Sequence, residues 1–469
     1  MNKLQIISLL VAGIPAWGAG GTYNVADYGA HNDGSALSTE AFRAAIHAAG
    51  AAGGGTVYVP AGHYVTGPIE LVSNLVLRFD AGAVVRFPAM RLPFTAGRQQ
   101  GVECLTPVPL IGGRNLENVT ITGRGQLTTD QSEWLALMGR PQFRSETSAG
   151  AEFGPAWNRL LELLELKKPV AEAVYREVAP FLRPSFIRFM DSRNVLVDGL
   201  HISGSPMWAI HLLYADHAVV RNVIIETYPG AETDGIVVDS SRNVEIADSY
   251  FDTGDDAVVL KSGKDADGLR VNRPTENIAI TNCTFHRAHG AVTLGSETSG
   301  WIRNVVAGNI TCNGTQMGIR IKSRRGRGGG VEHVRFNNWT MENVGQGINV
   351  TNYYVMAGEA RTGGGAGDGE DAGVSRYCHQ PCDDGESPRS HRCRGLAGNA
   401  DLRPAHLRCR GFLKNRREGL PHSRLGTARC SSGRRSEKRS CLSHPRLPGT
   451  GVGWCLVAPA GCGFSRRPS

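Results

Sequence analysis

A recurring asparagine restricts what this chain can fold into more than any other feature. Asn74, Asn118, Asn194, Asn243, Asn277 and Asn304 each precede a short apolar alternation, such as Asn118-Val119-Thr120-Ile121 or Asn277-Ile278-Ala279-Ile280. His217 and His333 stand in the asparagine's place in two further copies, and from Asn194 onward the spacings are 23, 26, 34, 27 and 29 residues. A period of this size, with several short strands in each copy, marks a solenoid whose turns bury their apolar faces against one another. The periodicity of helical repeats is absent. Short strands between Gly, Asn, Asp and Ser turns indicate a parallel β-helix. Asparagine suits such a coil because it tolerates left-handed turns and its amides can stack from rung to rung. Such a ladder also creates apparent glycosylation sequons, such as Asn309-Ile310-Thr311 and Asn338-Trp339-Thr340, which we read as structural ladder positions.

The flanking segments differ in character. Lys3, the apolar run 4–14 and the small-residue stretch Ala16-Trp17-Gly18-Ala19 read as a signal peptide over residues 1–19, so a secreted or periplasmic protein is expected. The apolar run is too short to span a bilayer, and no other stretch looks transmembrane. Residues 20–128 should form an N-terminal cap and the first coils. Within them, strands are expected over 23–28, 57–59 and 63–65. A helix is expected over 40–52, capped by Ser38-Thr39 and burying Phe42, Ala45, Ile46 and Ala49. Residues 129–183 interrupt the repeat with helical spacing over 157–167 and 169–181. This insertion would either shape a groove or merely cap the solenoid. Coils should resume over 184–356.

Beyond that the composition changes abruptly. Residues 357–469 carry 20 Lys/Arg against 10 Asp/Glu and eight of the 11 cysteines, and no isoleucine occurs after position 357. Such a segment cannot bury enough apolar surface to fold alone, and we expect it to be disordered or read out of frame and to be shed by limited proteolysis. Cys378, His379, Cys382, His391 and Cys393 have metal-like spacing, but in this background we assign neither a zinc site nor a nucleic-acid arm. Residues 1–356 hold 31 basic and 33 acidic residues, so the sequence pI of about 9.0 says nothing about nucleic-acid binding by the body. We expect no cofactor and no metal, and a monomer.

Four motifs concentrate the chemistry. Thr233-Asp234-Gly235, Gly254-Asp255-Asp256, His289-Gly290 and Gly318-Ile319-Arg320-Ile321-Lys322 lie about one coil apart, and each enters or contains an apolar strand. Equivalent residues on neighbouring rungs stand about 4.8 Å apart, so Asp234, Asp255 and Asp256 should cluster. Mutual repulsion should then raise at least one carboxyl pKa and leave a protonated acid beside ionised ones, the pairing that glycosidic cleavage needs. Ile319 and Ile321 should point inward, which turns Arg320 and Lys322 outward on one face. Two cations beside acids suggest an anionic substrate. The same residues could instead neutralise each other on a solvated face, or the acids could hold calcium.

In these four motifs the chain resembles the glycoside hydrolase family 28 polygalacturonases over about residues 22–354, in their bacterial and plant-like branch. Arg183-Pro184-Ser185, Ser205-Pro206-Met207-Trp208, Lys261-Ser262-Gly263-Lys264-Asp265 and Gly295-Ser296-Glu297 support the likeness. The resemblance implies an all-β fold, a right-handed parallel β-helix of the pectin-lyase-like kind. It also implies inverting hydrolysis of α-1,4-galacturonosidic bonds in pectin, with a pectic polysaccharide as the partner. By resemblance, Asp255 is the general acid, Asp234 and Asp256 activate the attacking water, and His289 tunes Asp255. Arg320 and Lys322 would bind the galacturonate carboxylate and Tyr353 would contact substrate, while His211 reads as structural. The insertion and the branch likeness favour exo attack. Glu232 stands where the family pattern has Asn, Ala288 where it commonly has Gly, and the family's later coils are not recognisable here. A polysaccharide lyase using calcium, a rhamnogalacturonan or xylogalacturonan hydrolase, and an inactive carbohydrate-binding remnant are the alternatives.

Overall fold

A computed structural model describes residues 20–137 and 154–354 and the short strand Gly373–Ser375. The signal peptide expected over 1–19, the middle of the insertion, and the tail's cysteine and arginine clusters lie outside the described residues. Short parallel strands wind into a right-handed β-helix with three ladders per coil. One ladder contains nine strands, from Ile69–Glu70 through Ile210–Leu213, Ile236–Asp239, Val258–Lys261 and Gly290–Leu294 to Met317–Lys322 and Gln346–Thr351. The other two merge into one sheet where the long strands Ile302–Asn313 and Gly330–Glu342 run through both. Gly373–Ser375 pairs in parallel with Gly330–Glu332, adding a rung beyond the last one expected from the repeat.

The core is a set of columns. Ile187, Ile210, Ile236, Val258, Val292 and Ile319 stack in register down the nine-stranded ladder, and Phe189, Leu212, Val238, Leu260, Leu294 and Ile321 form the column beside them. All are buried. Phe251 and Phe285 stack on the opposite side, ring centroids 5.0 Å apart and nearly parallel. β-branched and aliphatic side chains suit these positions because each fills the pleat above its copy on the next rung.

The repeated asparagine has the role its pattern implies. Asn74, Asn118, Asn194, Asn243, Asn277, Asn282, Asn304, Asn309 and Asn338 all adopt left-handed φ between 54° and 61°, as do His217 and His333 at 59° and 53°. Amides hand hydrogen bonds to the rung before: Asn118 to Asn74 (2.8 Å), Asn194 to Asn118 (3.0 Å), Asn243 to Asp216 (2.7 Å), Asn277 to Asn243 (3.0 Å), Asn304 to Asn277 (3.2 Å). A second ladder runs from Asn338 to Asn309 to Asn282 to Asp248. The amide nitrogens of the sequon residues Asn309 and Asn338 are engaged in it.

The N-terminal helix spans Thr39–Ala51 and buries Phe42, Ala45, Ile46 and Ala49 against the first coils. Ser38 occupies its N-cap without a side-chain cap bond. Its hydroxyl instead accepts from the His31 amide, and Thr39 accepts from Gly67. The first strand is shorter than expected, Thr22–Asn24, because the Asn24 side chain accepts from the Ala26 amide and starts a 3-10 turn.

Three features lie off the repeat. Phe94–Gln99 and Val102–Pro107 form an antiparallel hairpin that the sequence reading did not foresee. The insertion contributes helices Gln131–Leu137, Gly154–Glu165 and Glu172–Val178, the last two packing Trp157, Leu160, Val174 and Val178 on Val102 and Cys104 of that hairpin. A further short helix, Asp265–Val271, sits beside it. The hairpin covers the outward face of the nine-stranded ladder: Arg98 bonds Asp239 and Ser240 (both 2.8 Å), and Arg188 bonds Thr106 (2.7 Å). The outward residues Arg188, His211 and Asp239 beneath it are as buried as the inward ones, and Val237 and Val259 are buried against Met207 and Trp208.

Candidate active site

Asp234 sits in the turn that enters Ile236–Asp239, and Asp255-Asp256 in the turn that enters Val258–Lys261. Backbone bonds lock the two turns rung on rung: the Gly235 amide donates to Asp256 (3.0 Å), and the Ala257 amide to Gly290 (2.8 Å). The glycines permit this closeness. A Cβ on Gly235 would stand 2.4 Å from the Ala257 carbonyl, and one on Gly290 would meet the Asp256 carboxylate at 2.9 Å. Thr233 anchors the first turn through Gly230 and Thr227. The four motifs thus converge at one edge of the ladder, and the three acids differ in setting.

Asp256 is 1% exposed and lies between the two cations, accepting from Lys322 Nζ (2.8 Å) and Arg320 (3.2 Å). Burial alone would raise its pKa, but Lys322 and Arg320 hold it far below the usual carboxylate range. Asp255 is more open, its side chain 23% exposed, and it meets His289 Nδ1 at 3.0 Å. There too burial pushes upward and is outweighed, chiefly by the His289 bond, so the carboxyl is held below its ordinary value. Asp234 is 4% exposed and its pKa stands well above the ordinary value. Burial is the largest cause, the Asp255 charge the next, and Lys261 opposes both. Of the three acids only Asp234 has its pKa raised, and desolvation raises it more than the repulsion anticipated from the sequence.

Arg320 and Lys322 do point outward while Ile319 and Ile321 enter the core. Tyr354 lies against both cations, its ring centroid 4.8 Å from Lys322 Nζ and 5.4 Å from the Arg320 guanidinium. Tyr353, the tyrosine singled out by resemblance, is 60% exposed and forms an isolated bridge with Arg324. Tyr354 was missed because adjacent tyrosines are indistinguishable until the chain's direction after Gln346–Thr351 is known. His211 is fully buried, edge-on to Trp208 at 4.8 Å, with burial pushing its pKa down.

The two departures from the family pattern leave the site intact. Glu232 bonds Arg183 (2.5 Å) and Gln100 (3.0 Å), which occupies its charge away from the acid cluster. Ala288 is buried in the core, and the ladder bonds on either side of it persist, from Gln316 to Ala288 (2.8 Å) and from Met317 to His289 (3.0 Å). Among the described residues no group of three His, Cys, Asp or Glu side chains is arranged to hold a metal ion, and no helix there is long and apolar enough to cross a membrane.

The arrangement can do acid/base chemistry on an anionic substrate. It presents one carboxyl whose pKa is raised, two whose pKa values are depressed, a histidine on the most exposed acid, and two cations with an aromatic face. Comparison with known proteins agrees with this character. The family model described as glycosyl hydrolases family 28 matches residues 181–365, and a rhamnogalacturonase A/epimerase, pectate lyase-like model matches residues 22–87. A hyperthermoactive exopolygalacturonase from Thermotoga maritima is similar in structure, at 35% identity and a TM-score of 0.64, covering 70% of this chain and 76% of that one. A probable polygalacturonase of Vitis vinifera is 30% identical over 68% of this chain, and an exo-poly-alpha-D-galacturonosidase of Dickeya chrysanthemi is 27% identical over 71%. The chain spans 61% and 57% of the length of these two curated relatives.

Proposed function

The chain belongs to glycosyl hydrolase family 28, and from that premise we propose that it hydrolyses α-1,4-galacturonosidic bonds in pectic polymers, with inversion and by exo attack. The observation that carries this reading is the single cluster that joins Asp234, Asp255, Asp256 and His289 to Arg320 and Lys322. Asp255, the most accessible of the three acids, is the group that protonates the leaving oxygen. Asp234 and Asp256 activate the attacking water. Arg320 and Lys322 hold the sugar carboxylate, with Tyr354 or Tyr353 against the ring.

Asp255 must gain a proton before it can act. In the free protein the His289 bond, with the Lys322 charge behind it, holds its pKa below the ordinary value against burial. A bound galacturonate brings a negative charge to the cations and displaces water from the cluster. Both changes favour the protonated form of Asp255, and Asp234, whose pKa the Asp255 charge helps to raise, is the carboxyl that can exchange a proton with it. The exo preference is supported by the hairpin Phe94–Gln99 and Val102–Pro107. It covers the ladder next to Asp234, and the insertion helices pack behind it. These elements would close the groove on one side of the acids. Secretion or the periplasm, where the substrate is reached, is part of the same proposal, as is a monomeric state.

The test is product formation from polygalacturonate by the full chain, following reducing ends, absorbance of unsaturated products and viscosity together. New reducing ends without absorbance, short products early, and slow loss of viscosity are expected. Asp255→Asn should lower the rate by roughly 10²–10⁴-fold. Calcium-dependent absorbance would instead make the chain a lyase, and rapid loss of viscosity would make the attack endo.

A further inference from the structure

We propose that Lys261 and Glu297 form a positioning pair for Asp234. The Lys261 ammonium, held by Glu297 and the face of Trp208, orients the Asp234 carboxyl and allows it to ionise and serve as a base. This rests on the reading of Asp234 given above and assigns a role to two residues outside the acid cluster.

The geometry begins with register. Ile236 pairs with Val258, so Asp234 lies level with Asp256 in the turn before Val258–Lys261, whereas Lys261 ends that strand, about 10 Å beyond Val258. The Lys261 side chain nevertheless returns along the strand until Nζ stands 4.0 Å from Asp234 Oδ2. It does so over an apolar pad of Met207, Trp208, Val237 and Val259, with Nζ 5.2 Å from the Trp208 ring centroid. Glu297 fixes the ammonium from the other side at 3.0 Å. Lys261 and Glu297 are 6% and 1% exposed. An ion pair so desolvated acts strongly on its neighbours, because the water that would screen it is absent.

The hairpin tip completes the enclosure. Gly101, in left-handed conformation, approaches so closely that a Cβ there would stand 2.6 Å from the Lys264 Cβ and 2.7 Å from the Glu297 Cγ. Its carbonyl also accepts from the Lys264 amide (2.9 Å). The charged groups facing Asp234 are Asp255, Asp256, Lys261 and Lys322, and those facing Glu297 are Lys261 and Arg327. Of the two cations facing Asp234, Lys322 is hydrogen-bonded to Asp256 and Lys261 to Glu297. The influence of Lys261 on Asp234 is the larger of the two and lowers its pKa against burial.

The test titrates Asp234 directly. The full chain carries 13C-labelled aspartate, and the Asp234 carboxyl resonance is assigned by its loss in Asp234→Asn. Three variants are compared with the parent: Lys261→Met, Lys261→Arg, and the charge-balanced double Lys261→Met/Glu297→Gln, which leaves no buried unpaired ion if the single change fails to fold. The Asp234 midpoint should rise by about one pH unit or more in Lys261→Met or in the double, and stay near the parent's in Lys261→Arg. The acid limb of kcat/KM on polygalacturonate should move upward with it. A midpoint unchanged in the double overturns the pairing. A parent that is folded but inactive, with the midpoint still shifted, overturns the proposed function and leaves the pairing standing.

Discussion

At the scale of the residue, the site assigns opposite electrostatic settings to acids of one chemical type. Asp256 is buried between Lys322 and Arg320, which depress its pKa, while Asp234 is also buried but its cation is 4.0 Å away, and its pKa is raised. The difference has a consequence for stability. A carboxyl whose pKa is raised on folding stabilises the native state below its unfolded pKa, and that contribution is lost as pH rises through the folded pKa. At neutral pH Asp234 therefore weakens the fold for the sake of its chemistry. We expect Asp234→Asn to raise the urea midpoint at pH 7, to change it little at pH 3.5, and to lower kcat on polygalacturonate by roughly 10²-fold or more. A lower midpoint at pH 7 would mean that the carboxylate is ionised and favourably paired in the folded protein.

At the scale of the element, each rung depends on a left-handed turn and on the amide bond across it. Asn277 illustrates both, with φ at 61° and its amide bonded to Asn243 below and accepting from Asn304 above. Replacing it separates the two contributions. Asn277→Gly keeps the turn and loses only the ladder bonds, about 1 kcal/mol. Asn277→Ala loses the same bonds and also leaves in the left-handed region a side chain without the local polar contacts by which asparagine tolerates it, adding roughly 1–2 kcal/mol. Urea unfolding of the two variants should rank them parent, Gly, Ala. Equal loss in both would show that the backbone conformation carries no penalty. The hairpin is an element of another kind: it has no repeat, and it is held by the buried pair Arg98 and Asp239, 2.8 Å apart, rather than by its own periodicity.

At the scale of the whole molecule, three buried carboxylates far apart in sequence, Asp239, Asp256 and Glu297, all have pKa values below their ordinary ones, each opposed by burial and outweighed by a cation: Arg98, Lys322 and Lys261. Asp239 is brought to about 2 from 3.8. A depressed pKa contributes stability above the unfolded value that is lost as pH falls through the folded one. The described coils should therefore be stable through the weakly acidic range and lose stability steeply between about pH 4 and pH 2. Circular dichroism with urea at fixed pH values would show it, and a flat midpoint down to pH 2 would contradict it. Neighbouring coils share each ladder, so this loss should be cooperative along the solenoid.

The solenoid was legible from one sequence because its rule is local. Asn277-Ile278-Ala279-Ile280 carries its own turn conformation, its inward face and its neighbour's register, and the next copy repeats them. The convergence of Asp234, Asp255, Asp256, His289, Arg320 and Lys322 was legible for the same reason: in a coil, sequence spacing is spatial spacing. What no local rule reaches was decided by tertiary structure. The hairpin at Phe94–Gln99 and Val102–Pro107 crosses several rungs, and with it come the buried outer face, the partner of Glu232 and the enclosure around Glu297. Which acid has its pKa raised was decided there as well. Composition and spacing establish that three carboxylates meet, but a pKa depends on how much water each retains and which cation stands closest. Those quantities exist only once distant segments have packed together.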